Sequence, residues 1–138
     1  MPAQIFDLID NLNQDPPKRD AIEQGADFDW WTALVAADVA GTVASDWSAR
    51  MQVRRAPADR DTGEPLLDLD SEDLGGITVS IVDIDGDPAV RLDVHAAAAT
   101  TEALPVGRWH YDVELVRGDG YVRRLVRGRA QVTGEVTR

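Results

Sequence analysis

The residues of this chain able to do chemistry are two histidines, a large set of carboxylates and one run of closely spaced aspartates. Asp83-Ile84-Asp85-Gly86-Asp87 has the acids at alternate positions with which a calcium loop begins. Such a loop next needs a glycine after the third acid and a glutamate to close it. Pro88 and Val94 stand at those places, so the segment reads as an acidic β-turn made of ordinary turn residues. His95 and His110 each occupy the polar phase of an alternating run, and no HxH or HExxH spacing accompanies them. Ser45, Ser48, Ser71 and Ser80 lack the glycines of a nucleophile elbow, and Gly75-Gly76 lacks the rest of a phosphate-cradling loop. There is no cysteine, which removes a thiolate metal site, a thiol nucleophile and a disulfide scaffold. Any two carboxylates can meet in a fold, so general acid–base chemistry has no signature of its own here. The expectation is a protein that is not an enzyme and uses no cofactor and no metal.

Binding residues stand out more clearly. Trp30 and Trp31 are adjacent in an alternating run, so one of them faces away from the core, and an outward Trp31 beside Asp27 and Asp29 is a candidate interface anchor. The alternative is that the N-terminal segment covers it. Trp30, Trp47 and Trp109 fit inward phases. Of the 14 basic residues only Lys18 is lysine, and six arginines fall in residues 117–138 against Asp119 and Glu135. Arg123, Arg124, Arg127 and Arg129 are therefore candidates for ion pairs with an acidic neighbour. The plainer reading is a strand whose solvent face is arginine. Ile5, Leu8, Ile9 and Leu12 fall on one face of a short helix, with Phe6 beside them. Such a helix is marginal alone, so it packs on its own domain or docks on a partner.

The elements that position these residues are strands. Phe28–Leu34, Trp47–Val53, Ile77–Ile81, Val90–Val94 and Trp109–Leu115 all alternate with period two. In the last run Val122, Val126, Ala130 and Val132 share a phase that Leu125 breaks, which predicts a bulge or twist near Arg123–Arg124. Turn residues separate the runs, and Asp119-Gly120 is a tight-hairpin signal. Residues 96–104 carry alanines and stop at Pro105, which predicts a short crossing helix. Pro16-Pro17 ends the first segment. The organisation expected is an N-terminal arm, partly helical, over residues 1–24 and an antiparallel β-sandwich over residues 25–138.

Size and charge bound the function. With 138 residues the chain is one domain and can bury a core without staples. A net charge of −11 disfavours nucleic acid as a partner, because phosphate neutralisation needs clustered positive charge. No apolar run is long enough to cross a membrane, and the first residues lack the basic-then-apolar order of a signal peptide.

A set of segments carries a resemblance, its specific parts being the stretch from Ala103 to Leu115 and the ending from Glu135 to Arg138, with the rest generic for β-sandwiches. The segments are Gln24-Gly25-x-Asp27-Phe28, Ser45-Asp46-Trp47-Ser48-Ala49-Arg50-Met51, Ala103-Leu104-Pro105-x-Gly107-Arg108-Trp109-x-Tyr111-Asp112-x-Glu114-Leu115 and the closing Glu135-Val136-Thr137-Arg138. In this order the chain resembles small virion structural proteins of tailed bacteriophages and prophages, and the N-terminal domain of phage upper baseplate proteins. The family's strand–turn–strand hairpin is altered here over Leu34–Val43, and residues 1–23 lie outside its pattern. The resemblance implies an all-β, immunoglobulin-like sandwich and a non-enzymatic tail or baseplate adaptor linking a larger body to a fibre or to neighbouring subunits. It implies assembly in the host cytoplasm, residence in the virion, and partners that are other virion proteins and copies of itself. The alternative within the same resemblance is a capsid decoration protein on the head. Outside it stands a carbohydrate-binding module using an exposed tryptophan, for which aromatic-rich loops are absent.

Overall fold

Alternation of apolar and polar residues gives each strand one face to bury, and two sheets supply the cover. The structure, a computed structural model, describes residues 21–56 and 63–134 in full, and residues 4–5, 10–11 and 18–19 by their backbone alone. The strands are β1 (Gln4–Ile5), β2 (Asp10–Asn11), β3 (Lys18–Arg19), β4 (Ile22–Glu23), β5 (Phe28–Val35), β6 (Trp47–Arg54), β7 (Leu67–Asp70), β8 (Ile77–Ile84), β9 (Asp87–Ala96), β10 (Gly107–Arg117) and β11 (Val122–Thr133).

One sheet runs β7-β6-β10-β11, with β4 and β1 each adding a short parallel pairing to β11. The other runs β5-β9-β8. With β5, β9 and β8 as the B, E and D strands and β6, β10 and β11 as C, F and G, this is the immunoglobulin order, and β7 sits where variable-type domains add C′. The chain is an all-β sandwich of that plan, as its sequence led one to expect. The alternating residues named above supply the inner faces: Phe28 and Leu34, Trp47 to Val53, Val90 to Val94, and Tyr111 to Leu115 are all buried. Trp30 of β5 meets Tyr111 of β10 edge to face, 6.0 Å between ring centres. The pair joins the same two strands that the inter-sheet disulfide joins in antibody domains.

The anticipated bulge is present and reverses the phase of β11. The β10–β11 register steps from Val113↔Val126 to Glu114↔Arg124, leaving Leu125 as the extra residue. Leu125 and Val126 are consecutive and both buried. Before the bulge the inward set is odd-numbered, after it even-numbered. The expectation that Val122 shares the inner phase of Val126, Ala130 and Val132 is thereby corrected: Val122 is 55% exposed and Val126 1%. Arg123 is turned to the inner side instead.

The turns follow their chemistry. Asp85 (φ 52°) and Gly86 (φ 87°) form the two-residue hairpin between β8 and β9, the acidic turn anticipated above. Between β10 and β11 the Gly120 N–H donates to the Arg117 carbonyl at 2.8 Å and Gly120 has φ 88°, so this hairpin is a three-residue loop closed by a left-handed glycine. The predicted crossing helix is α1 (Ala98–Glu102), between β9 and β10. Asp27 Oδ1 accepts the Ala98 N–H at 2.8 Å, and the buried Thr101 hydroxyl donates to the Ala26 carbonyl at 2.8 Å. Gln24 Nε2 donates to the Leu104 carbonyl at 2.6 Å. At Gly107 an added Cβ would stand 2.7 Å from the Trp109 ring, so that ring folds back over a residue that only glycine can be.

Ile22 is fully buried beside β11, so the packed body takes in the chain from residue 21. In the arm, Gln4–Ile5 and Asp10–Asn11 are strand rather than helix, because the open edge of β11 and the β3 segment offer backbone partners. Phe6, Leu8, Ile9 and Leu12 lie outside the described residues, as does the closing Glu135–Arg138 segment.

The bulge can be tested by two truncations four residues apart. Val126→Ala is expected to destabilise the fold by about 2 kcal/mol, the transfer and cavity cost of a buried valine. Val122→Ala is expected to stay within about 0.5 kcal/mol of wild type, as at an exposed site. Urea titrations followed by tryptophan fluorescence read both, and equal losses would contradict the phase reversal.

Candidate functional site

The two outer faces of the sandwich differ in kind. On the β7-β6-β10-β11 face the strands carry charge of alternating sign. One row across the sheet reads Asp70, Arg50, Glu114, Arg124, and the next reads Asp68, Gln52, Asp112, Arg127. Each acidic strand thus has a basic neighbour, the cross-strand arrangement that favours pairing over repulsion. Arg50 holds Asp68 with Nε and Nη2 at 3.0 and 2.8 Å. That guanidinium draws the Asp68 carboxyl below the usual carboxylate range, with a smaller part from the Gln52 amide. Arg124 stands between Asp112 (3.8 Å) and Glu114 (3.5 Å). Burial pushes Asp112 up from the ordinary aspartate value, and Arg124 only partly offsets it. Asp70 has another task. Its Oδ1 accepts the backbone N–H groups of Glu72, Leu74 and Gly75 at 3.0, 2.8 and 3.2 Å and so folds the loop after β7. Desolvation opposes its charge, yet those three donors hold its pKa down.

At one end of the sandwich the phase reversal delivers Arg123 to a partly buried cluster. Asp38 Oδ2 accepts from Arg117 Nη1 at 2.7 Å and from Arg123 Nη2 at 3.1 Å. Both guanidinium groups also lie over the Tyr121 ring, 5.0 and 5.3 Å from its centre. The cluster ties the β10–β11 hairpin to the 3-10 turn at Ala37–Val39 in the β5–β6 connection.

The β5-β9-β8 face is different. Trp31 is 52% exposed on it, with the Arg91 guanidinium over its ring at 4.4 Å. Arg91 in turn forks onto Asp93, Nη2 to Oδ1 at 2.9 Å. Ala33 follows Trp31 on the outward side of β5, and farther along the face Val35 and Val82 flank Ala89 in one row, with Ile84 beyond. In the next outward row beside Trp31 and Asp93, His95 Nδ1 lies 2.7 Å from Asp29 Oδ1, and the Asp29 carboxylate raises the His95 pKa above its ordinary value, chiefly through that hydrogen bond.

The residues singled out from sequence therefore separate. Trp31 is outward, as the alternation required, and Trp30, Trp47 and Trp109 pack against the core. The four arginines do not form one stripe with it: Arg124, Arg127 and Arg129 are exposed on the opposite outer face, in register with Glu114, Asp112 and His110. Arg123 and Arg124 already have acidic partners within the chain. Ile5 pairs by its backbone with Arg127. The Asp38–Arg117–Arg123 cluster escaped sequence reasoning, because it depends on a bulge position and on a contact 85 residues apart. Among the described residues no three carboxylate or histidine groups converge as they would around a metal ion. The chain matches no protein-family model, and no curated protein matches it.

The His95–Asp29 contact makes a direct prediction. By NMR, His95 is expected to titrate above the ordinary histidine value of about 6.5, and Asp29→Asn should bring it back down. Because the folded-state pKa is raised, the contact's contribution to stability is complete below the unfolded pKa and is lost as pH rises through the folded one. A His95 midpoint left unmoved by the Asp29→Asn substitution would contradict the contact.

Proposed function

We propose that this protein is a non-enzymatic structural subunit of a tailed-bacteriophage particle, serving as a tail or baseplate adaptor that joins a larger body to a fibre or to neighbouring subunits. The observation that carries the reading is the Ala103–Leu115 segment. It is the most specific part of the resemblance, and in the structure its residues act as one unit. Leu104 is buried, Gly107 makes room for Trp109, and Tyr111, Val113 and Leu115 enter the core. Asp112 and Glu114 face the arginines of β11. The segment thus builds the corner and central strand of an immunoglobulin-type sandwich, a scaffold whose faces and loops serve contact with other chains.

Trp31 supports an assembly role further. A large aromatic held in place by Arg91 on a rigid sheet binds with little conformational cost. The partners proposed are other virion proteins and further copies of this chain. Fold alone does not assign a function, so the test is made on particles. Quantitative mass spectrometry of purified particles, with heads and tails separated, is expected to find a few to a few dozen copies travelling with tails. Hundreds of copies travelling with heads would replace the adaptor by a capsid decoration protein. Absence from particles would overturn both. A chain lacking residues 1–15 is expected to keep the sandwich fold by circular dichroism and to fail to enter particles, and normal incorporation would remove the arm from the docking role.

A further inference from the structure

The contrast between the two outer faces has a physical consequence. On the β7-β6-β10-β11 face the outward positions are charged or polar almost throughout, as suits water. On the β5-β9-β8 face, Trp31, Ala33, Val35, Val82 and Ile84 point outward, and Ala89, in register between Val35 and Val82, is fully buried. Apolar side chains hold about half of the outward positions here, a share that suits a contact face better than one kept for water.

The charges on this face indicate what covers it. The chain as a whole carries −11, so two copies repel over most of their surface. Here the outward charges lie mostly beside opposite ones, Asp93 with Arg91 and Asp29 with His95, while Asp87 stands at the β8–β9 hairpin end. The register places Trp31, Asp93 and Thr78 in one row across the three strands, and Ala33, Arg91 and Ser80 in the next. A two-fold axis lying across the strands between these rows brings one copy face to face with another. Each row then meets the other row of the partner. Trp31 lies over the partner's Ala33, large against small, and Arg91 over the partner's Asp93, opposite in charge. By symmetry each contact occurs twice. Thr78 and Ser80 supply neutral polar groups at the β8 side, and the same operation sets Val35 and Ala89 over the partner's Asp29 and His95 toward each end. The alternative axis, along the strands, would set Arg91 over Arg91.

We infer that the β5-β9-β8 face is the two-fold interface of a homodimer, with Trp31 and the Arg91–Asp93 pair at its centre. This goes beyond the particle reading and does not depend on it, since it is measured on the purified chain in solution. The face is small. Three strands of eight residues cover about 400 Å2 in projection, roughly half of the ~800 Å2 that each partner buries in a standard interface. Association in the micromolar range is expected.

Sedimentation equilibrium of the full chain, from about 10 to about 500 µM, spans that range. The expected result is a monomer–dimer equilibrium that Trp31→Ala weakens by about tenfold or more, the equivalent of about 1.4 kcal/mol. Arg91→Asp alone and Asp93→Arg alone should each weaken it likewise, because each sets like charges over one another. The double reversal, Arg91→Asp with Asp93→Arg, should restore it. Arg127→Glu on the opposite face should leave it unchanged, and circular dichroism confirms the fold of each variant. A wild-type chain monomeric at every concentration overturns the inference. So does a dimer indifferent to Trp31→Ala and to both single reversals. Failure of the double reversal to restore association overturns the proposed register.

Discussion

In a two-layer sandwich every strand residue is either shielded between the sheets or left on an outer face, and the whole molecule depends on how that choice is kept along each strand. The inner side is held by close packing of alternating residues, with the Trp30–Tyr111 contact bridging the layers where antibody domains use a disulfide. The strand that departs from strict alternation is β11. One extra residue, Leu125, reverses its phase, places Val122 in solvent and sends Arg123 toward Asp38. The same step aligns Arg124 with Glu114 and Arg127 with Asp112, and so completes the alternating-sign pattern on the charged face. A single backbone irregularity therefore links the core, the end cluster and the outer electrostatics.

The arginines show why composition alone misleads about partners. Read along the chain, the last 22 residues are a basic end on an acidic body. Folded, Arg117 and Arg123 serve Asp38, and Arg124 serves Asp112 and Glu114. The more exposed of these pairs, those of Arg124, add little stability, yet all of them occupy charges that would otherwise be available to a neighbour. The β5-β9-β8 face, with Trp31 and several aliphatic side chains among its outward residues, is the more specific surface.

Much of this was legible in the sequence, and the rest was not for physical reasons. Alternation identified β5, β6, β8, β9 and β10 and the outward Trp31, because a period of two is written into the residues themselves. The bulge at Leu125 showed as a broken phase. Its consequence for Val122 did not, since a phase break does not say which side of it flips. The charge rows were invisible because they need the neighbours of each strand: Arg50 and Glu114 are 64 positions apart and become adjacent only through β6–β10 pairing. Ile5, Leu8, Ile9 and Leu12 carry helical spacing, while the described backbone of this segment at Gln4–Ile5 and Asp10–Asn11 pairs as strand. Local periodicity there yields to the partners available at a sheet edge.

The account turns on which aromatic residues face solvent and which of those become covered. Hydroxyl-radical footprinting of the full chain, read residue by residue, reports both at once. In dilute solution Trp31 and Tyr121 should label readily and Trp47 should resist. At high concentration Trp31 should become protected while Tyr121 continues to label. Labelling of Trp47 as fast as Trp31 would contradict the sandwich's inner and outer faces. A Trp31 that labels equally at every concentration would contradict its place in a covered surface.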